Sequence, residues 1–205
     1  MIAETRNVVG LVISCIATVS LLSRGSHMSF LSQSIQLPLE VLIEDFFQRS
    51  EGSWRSERRY YTLKSGETQE VLSFVTVQFL KQGSPELVEL GKAHQLPDPT
   101  VLTCGARTTW ESTYSGPGAK QSTGETVFGV LGGTLYRDRG FATTKPITAQ
   151  FYLPDPNTLR LRTEYKGSVF EEEIKLVGSK YRTRQTIISH AGEEQMVGQY
   201  LERRI

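Results

Sequence analysis

Turn-forming residues recur at short spacing through the second half of this 205-residue chain, and this spacing constrains the fold more than any other feature. Between the turns lie short runs with the character of β-strands. These runs are 125–130, 147–153, 159–165, 169–177, 181–189 and 196–203. The short connections indicate antiparallel pairing, because parallel strands need long crossovers. We expect about eight to ten strands in a meander that closes into a barrel, since closure leaves no long edge.

The first half of the chain predicts two helices and two further strands. Apolar residues before Gly52 recur at helical spacing between polar residues, and Pro38 suits the first turn of such a helix. Those apolar residues are Leu39, Leu42, Ile43, Phe46 and Phe47. Alternation with a period of two predicts strands over 55–63 and 69–79. With a second short helix expected over 85–94, the fold class is mainly β: an antiparallel barrel with an N-terminal amphipathic helix and one further short helix.

Composition excludes several classes of protein without naming a function. The chain has 23 basic and 22 acidic residues, a net charge of +1, so it carries no electrostatic footprint for nucleic acid. Its cysteines, Cys15 and Cys104, have no zinc-binding spacing, and its three histidines are scattered. We therefore expect no metal site.

The N-terminal segment needs separate treatment. Residues 7–23 are uncharged and mostly apolar, but this stretch is short for a membrane-spanning helix. Residues 25–28, Gly-Ser-His-Met, are typical of the remnant between a cleavable tag and a cloned start codon. We expect residues 1–27 to be a non-native tag or cloning segment and 28–205 a single domain, the alternative being an export signal or lipid-anchored tail. A start at Met28 would leave one thiol and favour a cytoplasmic protein without membrane attachment.

Several charged residues share a strand face with apolar ones. Glu172 lies among Phe170, Ile174 and Leu176, and Arg182 and Arg184 lie on a face that ends apolar. Arg160, Arg162 and Glu164 form a third, polar row opposite Leu159 and Leu161. An ionised group without a partner is too costly to bury. These rows therefore either face water, with weak ion pairs across strands, or line a wet cavity that meets a ligand.

The remaining conspicuous residues indicate structure more than chemistry. Trp54 and Trp110 are typical of core anchors. Cys104 has no histidine near it in sequence, which favours a small buried residue over a nucleophile. Serine, histidine and aspartate form no recognisable triad motif. The residues alone thus indicate an antiparallel barrel able to hold a small molecule, and no particular reaction.

The segment 46–63, which runs from Phe46-Phe47 through Ser50-Glu51-Gly52-Ser53-Trp54 to Leu63, resembles the opening of the S/U-type phycobiliprotein chromophore lyases, the CpcS/CpeS/CpcU family. In that family a short helix ending in two aromatics precedes a Ser-x-Gly-x-Trp-x-Ser-x-Arg segment. Four further family motifs follow in order at 105–111 (GARTTWE), 135–142 (LYRDRGFA), 163–165 (TEY) and 181–184 (YRTR). The chain departs from the family at Tyr61-Thr62, where a histidine pair is frequent, and at 172–176, where an aromatic-rich stretch is frequent.

The resemblance, which covers about residues 44–205, implies a lipocalin-like barrel that attaches a linear tetrapyrrole (bilin) to a cysteine of an apo-phycobiliprotein subunit. The implied catalytic residues are Glu172, Glu164 and Arg182, and the implied bilin-binding residues are Arg58, Tyr61, Trp110, Arg160, Arg162 and Arg184. Arginines suit the two bilin propionates, a carboxylate suits the pyrrole N–H groups, and a tryptophan can stack on the tetrapyrrole. The bilin is a substrate, no cofactor or metal is expected, and the attacking thiol belongs to the acceptor protein.

Two alternatives share the same barrel and polar pocket. One is a non-catalytic carrier of bilins or lipophiles, of lipocalin type. The other is a partner subunit that works only with a related lyase, so a homodimer or a heterodimer is compatible with the sequence. The preferred bilin, phycocyanobilin or a similar one, and the acceptor cysteine stay open.

Overall fold

The structure is a computed structural model that describes residues 38–116, 119–141 and 143–205. The expectation about residues 1–27 falls outside these ranges. Within the described ranges, two helices and ten strands follow one another: α1 (Leu39–Ser50), β1 (Gly52–Thr62), β2 (Glu67–Lys81), α2 (Pro85–Ala93), β3 (Cys104–Tyr114), β4 (Gln121–Leu131), β5 (Thr134–Arg137), β6 (Ile147–Asp155), β7 (Thr158–Tyr165), β8 (Ser168–Val177), β9 (Tyr181–His190) and β10 (Glu193–Arg204).

The ten strands form one closed antiparallel barrel. Each strand pairs with its neighbour in sequence, and β1 also pairs with β10, so that the order is β1-β10-β9-β8-β7-β6-β5-β4-β3-β2. Trp54 of β1, for example, faces Val75 of β2 on one side and Arg204 of β10 on the other. The predicted class is confirmed, and closure leaves no unpaired strand edge between the first and last strands.

Helix α1 covers one end of the barrel. Its Phe46 and Phe47 are buried in the main apolar cluster. The indole Nε1 of Trp54 donates to the carbonyl of Ser50 at 2.9 Å, and Arg49 Nη1 donates to Asn157 Oδ1 at 2.7 Å in the β6–β7 turn. These bonds fix the end of α1 against the start of β1 and a distant hairpin. The barrel is therefore closed at this end, whereas the other end carries the β1–β2, β3–β4, β5–β6, β7–β8 and β9–β10 connections.

Helix α2 packs on the outside of the barrel, across β3 and β4. Leu87 and Leu90 of α2 are buried in a second, smaller apolar cluster. Gly105 of β3 permits this close approach, because a Cβ atom there would lie 2.6 Å from Leu87 Cδ2 and 2.0 Å from the carbonyl oxygen of Phe128. The outer layer thus leaves the barrel interior free. Within the described ranges, neither helix has the length and apolar character needed to cross a membrane.

Candidate functional site

A cavity of about 1000 Å³ fills the barrel interior. Phe46 and Phe47 of α1 bound it at the closed end, and the β5–β6 and β7–β8 connections border it at the other end, here called the mouth. Its apolar walls include Val75 of β2 and Leu159 and Leu161 of β7. This volume is at the upper end of the range for small-molecule sites. The interior is therefore large enough for a ligand of several rings.

The cavity concentrates positive charge. Among the described residues, seven basic side chains line it against two carboxylates, although the whole chain has a net charge of only +1. The basic residues are Arg58, Arg137, Arg139, Lys145, Lys166, Arg182 and Arg184, and the acidic ones are Glu172 and Glu202. A cleft lined by one sign of charge within low-dielectric walls attracts the opposite charge. The arrangement favours an anionic ligand.

Glu172 lies between two arginines in the barrel wall. Its side chain is 2% exposed, with Oε1 3.5 Å from Arg137 Nη1 and Oε2 accepting a hydrogen bond from Arg184 Nη2. Burial lowers the pKa of Arg137, and the charge of Glu172 offsets this only in part. Burial would also lower the pKa of Arg184, but Glu172 and the neighbouring groups Tyr200 and Glu202 together outweigh it and raise that pKa above its ordinary value. The Nε atoms of both arginines are buried and have no hydrogen-bond partner among the described residues.

Arg182 and Glu202 form a second buried pair. Arg182 Nε donates to Glu202 Oε2, and the glutamate side chain is 2% exposed. Burial alone would raise the pKa of Glu202, but the charge and hydrogen bond of Arg182 reverse the shift and hold that pKa below its ordinary value. The Arg182 guanidinium also lies 4.7 Å from the Trp54 ring centroid. Glu202 is therefore a stable carboxylate beneath the cavity surface.

Tyr200 connects the two pairs with Arg58. The guanidinium carbons of Arg58 and Arg184 lie 5.5 Å and 5.1 Å from its ring centroid. Burial raises the pKa of Tyr200, so the phenol stays neutral. Arg58 Nε donates to Ser56 Oγ at 3.2 Å, and Arg58 has no carboxylate partner in the described part of the chain. Its positive charge is free to meet a ligand.

The structure brings five of the residues suggested by the sequence into this one cavity. They are Glu172, Arg182, Arg58, Trp110 and Arg184. Alternation along β8, β9, β1 and β3 turns each of them inward. Of the two tryptophans, Trp54 is a core anchor, as expected, whereas half-buried Trp110 presents its ring to the cavity. The rows in β8 and β9 thus line a cavity instead of facing bulk water.

The other four suggested residues lie outside the cavity. In β7 the buried positions are Leu159, Leu161 and Thr163, so the alternate side chains point to solvent. Arg160 pairs with Glu173 at 2.7 Å, and Arg162 pairs with Glu171 at 2.8 Å and with Glu164 at 2.6 Å. Tyr61 lies on the outer side of β1 and does not line the cavity. The row in β7 is therefore a solvated face with cross-strand ion pairs.

Two interior charges were missed from the sequence. Arg137 belongs to a four-residue strand, β5, which is too short to show a period, although it lies within the 135–142 motif. Glu202 alternates with Tyr200 and Gly198 in β10, and this signal could have identified it. By contrast, Cys104 is a buried residue as predicted: it is 1% exposed, and burial raises the pKa of its thiol to about 11. No cluster of three histidine, cysteine, aspartate or glutamate side chains within the described ranges is placed to hold a metal ion.

A helix-capped antiparallel barrel with a large, cation-rich cavity defines a class of small-molecule-binding proteins. Comparison with known proteins gives the particular family. The family model described as "CpeS-like protein" matches residues 42–205, and the chain belongs to this family.

Named relatives agree with this membership. "Putative phycocyanobilin lyase CpcS 2" of Nostoc sp. is 57% identical over 178 residues, which cover 87% of this chain and 99% of the relative. "Putative chromophore lyase CpcV" of Picosynechococcus sp. is 53% identical over 161 residues, covering 78% and 80%. The solved structure of the S-type phycobiliprotein lyase CPES from Guillardia theta matches with a TM-score of 0.68 at 23% identity, over 83% of this chain and 98% of that one. This structural match supports the fold.

Replacing Glu172 by glutamine tests whether the carboxylate neutralises a buried cluster. The variant leaves Arg137 and Arg184 without their counter-charge, and we expect the free energy of unfolding to fall by about 3–5 kcal/mol in urea titrations. Glu173→Gln is the matched control, because it removes the next carboxylate in the same strand from an exposed pair and should cost at most about 1 kcal/mol. Equal stability of the two variants would contradict the buried pairing.

The depressed pKa of Glu202 predicts a specific loss of stability in acid. A carboxyl whose pKa is lower in the folded state stabilises the fold above its unfolded pKa of about 4.3 and ceases to do so as pH falls through the folded value. We therefore expect the free energy of unfolding to fall below about pH 4.3, with a shallower slope in Glu202→Gln. Denaturant titrations from pH 6 to pH 2 would check this, and parallel curves for the two proteins would refute it.

Proposed function

We propose that this chain is a bilin lyase, which binds a linear tetrapyrrole and catalyses its thioether attachment to a cysteine of a phycobiliprotein subunit. One observation carries the proposal beyond family membership. Four arginines and two carboxylates face the interior, an excess of two positive charges. A bilin carries two propionates, so the excess matches the charge of the ligand.

The relatives support the same class of substrate. One is named for phycocyanobilin and another for a chromophore, and both are named as lyases. Phycocyanobilin is therefore the substrate with which to test this chain first. An apo-phycobiliprotein subunit supplies the acceptor thiol, since Cys104 is buried and the pKa of its thiol is raised to about 11.

The cavity offers each part of the bilin a complementary group. Arg58 and Arg184 are suited to the propionates, because a guanidinium can donate two parallel hydrogen bonds to a carboxylate. The half-buried Trp110 ring provides a flat wall for the conjugated rings. Glu172 is the interior carboxylate suited to the pyrrole N–H groups, and to reach them it would exchange one of its guanidinium partners for the ligand.

The reaction is an addition. The acceptor sulfur forms a bond to the exocyclic ethylidene carbon of ring A, the ethylidene double bond is consumed, and the thiol proton is delivered to the bilin, so no oxidant or reductant is needed. A carboxylate near the pyrrole nitrogens stabilises the protonated, more electrophilic chromophore, which assists the addition as a general acid would. Held in one conformation with ring A at the mouth, the bilin would present one face to the incoming thiol, and this orientation lowers the barrier further.

The test is attachment of phycocyanobilin to an apo-phycobiliprotein, measured as colour that survives denaturation of the product. Arg58→Gln removes a cavity cation without leaving a buried carboxylate unpaired, and we expect it to weaken non-covalent bilin binding by about 10-fold or more, the value of one charge-assisted hydrogen bond. Arg162→Gln is the matched control, since it removes a guanidinium from the outer face and should bind and attach bilin like the unaltered chain.

Each outcome of this assay has a definite reading. Full attachment activity with both Arg182 and Glu172 replaced, in a variant shown to be folded, would contradict the assigned roles. Colour that is lost on denaturation would make the chain a bilin carrier. Colour that becomes covalent only after addition of a second, related subunit would make it one half of a heteromeric lyase, and the mass of the active species would distinguish a homodimer from a heterodimer.

A further inference from the structure

Three basic side chains at the mouth of the cavity, the mouth cations, are Arg139, Lys145 and Lys166. All three are exposed, and all three line the cavity. Lys145 and Lys166 form no ion pair with any described residue. Arg139 Nε donates to Asp138 Oδ2 at 3.3 Å, so its charge is compensated in part. The two lysines therefore carry positive charge at the mouth that the described residues leave uncompensated.

Several arginines elsewhere on the outer face of the barrel are compensated. Arg59 pairs with Glu70 at 2.5 Å, and Arg107 pairs with Glu125 at 2.5 Å. The same holds for the row in β7. Lys64 and Lys180 also form no ion pair with a described residue but do not line the cavity, whereas Lys145 and Lys166 do.

Contacts between the two connections keep the mouth cations together. Phe141 of the β5–β6 connection stacks on Phe170 at 5.3 Å, and Tyr165 at the end of β7 stacks on the same ring at 4.7 Å. Lys166 directly follows Tyr165, and Arg139 precedes Phe141 by two residues. The ring stack therefore holds basic residues from two connections beside one opening.

The backbone at Lys166 also favours another residue. Lys166 and Gly167 form the two-residue turn of the β7–β8 hairpin with φ of 51° and 72°, the type I′ geometry in which asparagine or glycine is preferred. Ala191 and Gly192 form the same turn in the β9–β10 hairpin, with φ of 52° and 85°. Neither lysine nor alanine is the residue preferred in this turn, so turn chemistry does not account for the lysine at the mouth.

We propose that the mouth cations capture the carboxylates of the approaching ligand and set the rate at which it associates. This inference rests on the proposed function, which makes the ligand a dianion. The interior arginines already exceed the interior carboxylates by two positive charges, which matches a bound dianion. The mouth cations are therefore not needed to hold the bound ligand. Charges that surround an opening act at longer range, raise the local ligand concentration and increase association rate constants by about 10- to 1000-fold at low salt.

Stopped-flow mixing of the full chain with phycocyanobilin tests the proposal, with the change in bilin absorbance as the signal. In the double variant Lys145→Gln/Lys166→Asn, we expect the association rate constant to fall about 10-fold at low ionic strength, within the range known for steering. We also expect the association rate constant of the double variant to depend less steeply on salt concentration, because fewer charges remain to be screened. The dissociation rate constant should stay within about 2-fold, since the interior arginines are intact.

Two variants and one ligand serve as controls. Ala191→Asn makes the same kind of substitution in the matching turn and removes no charge, so it separates backbone effects from electrostatic ones. Lys64→Gln removes a lysine from the β1–β2 connection, which does not line the cavity. The dimethyl ester of phycocyanobilin lacks the propionate charges, and its association rate should be the same in all the variants.

An unchanged association rate in the double variant would overturn the proposal. The proposal would also be overturned if the double variant bound bilin at the normal rate but needed more acceptor protein for half-maximal attachment. That result would mean that the cations bind an acidic face of the acceptor. The proposed function fails in a different experiment: the unaltered chain would bind bilin yet yield no covalent colour. Lack of any bilin binding by the unaltered chain would overturn both.

Discussion

The interior of this barrel depends on burying carboxylates and guanidinium groups together. Neither Glu172 nor Glu202 could stay ionised inside a protein alone, since the cost of removing an isolated charge from water is far larger than the stability of a domain. Each is therefore bonded to arginine, Glu172 to Arg137 and Arg184, and Glu202 to Arg182. Because the arginines outnumber the glutamates, the same network that satisfies the carboxylates leaves positive charge facing the cavity.

The fold provides the enclosure in which those charges act strongly. Closure of β1 onto β10 removes strand edges, and α1 covers one end, so the cavity opens at the end of the hairpin connections. Low-dielectric walls strengthen the attraction between an interior arginine and a ligand carboxylate. The mouth cations lie where a ligand must pass. Binding inside and capture at the opening are thus two consequences of one charge distribution.

Strand periodicity made most of this architecture predictable, because each side chain of a strand in a closed barrel points either into the barrel or out to solvent. The row with Glu172 in β8 and the row with Arg182 and Arg184 in β9 were recognisable because apolar residues share their face. The row in β7 has the same composition, but its leucines occupy the other face, so Arg160 and Arg162 point to water. Arg137 was hidden because a four-residue strand has no measurable period, and its role depends on a partner 35 positions away.

The most direct test of the central claim compares phycocyanobilin with its dimethyl ester as ligands of the unaltered chain. The ester keeps the tetrapyrrole but removes both negative charges. If the excess of interior arginine charge is what holds the ligand, the ester should bind at least about 100-fold more weakly, as expected for the loss of two charge-assisted hydrogen bonds. Equal dissociation constants for the two ligands, measured by titration at physiological salt, would contradict the account.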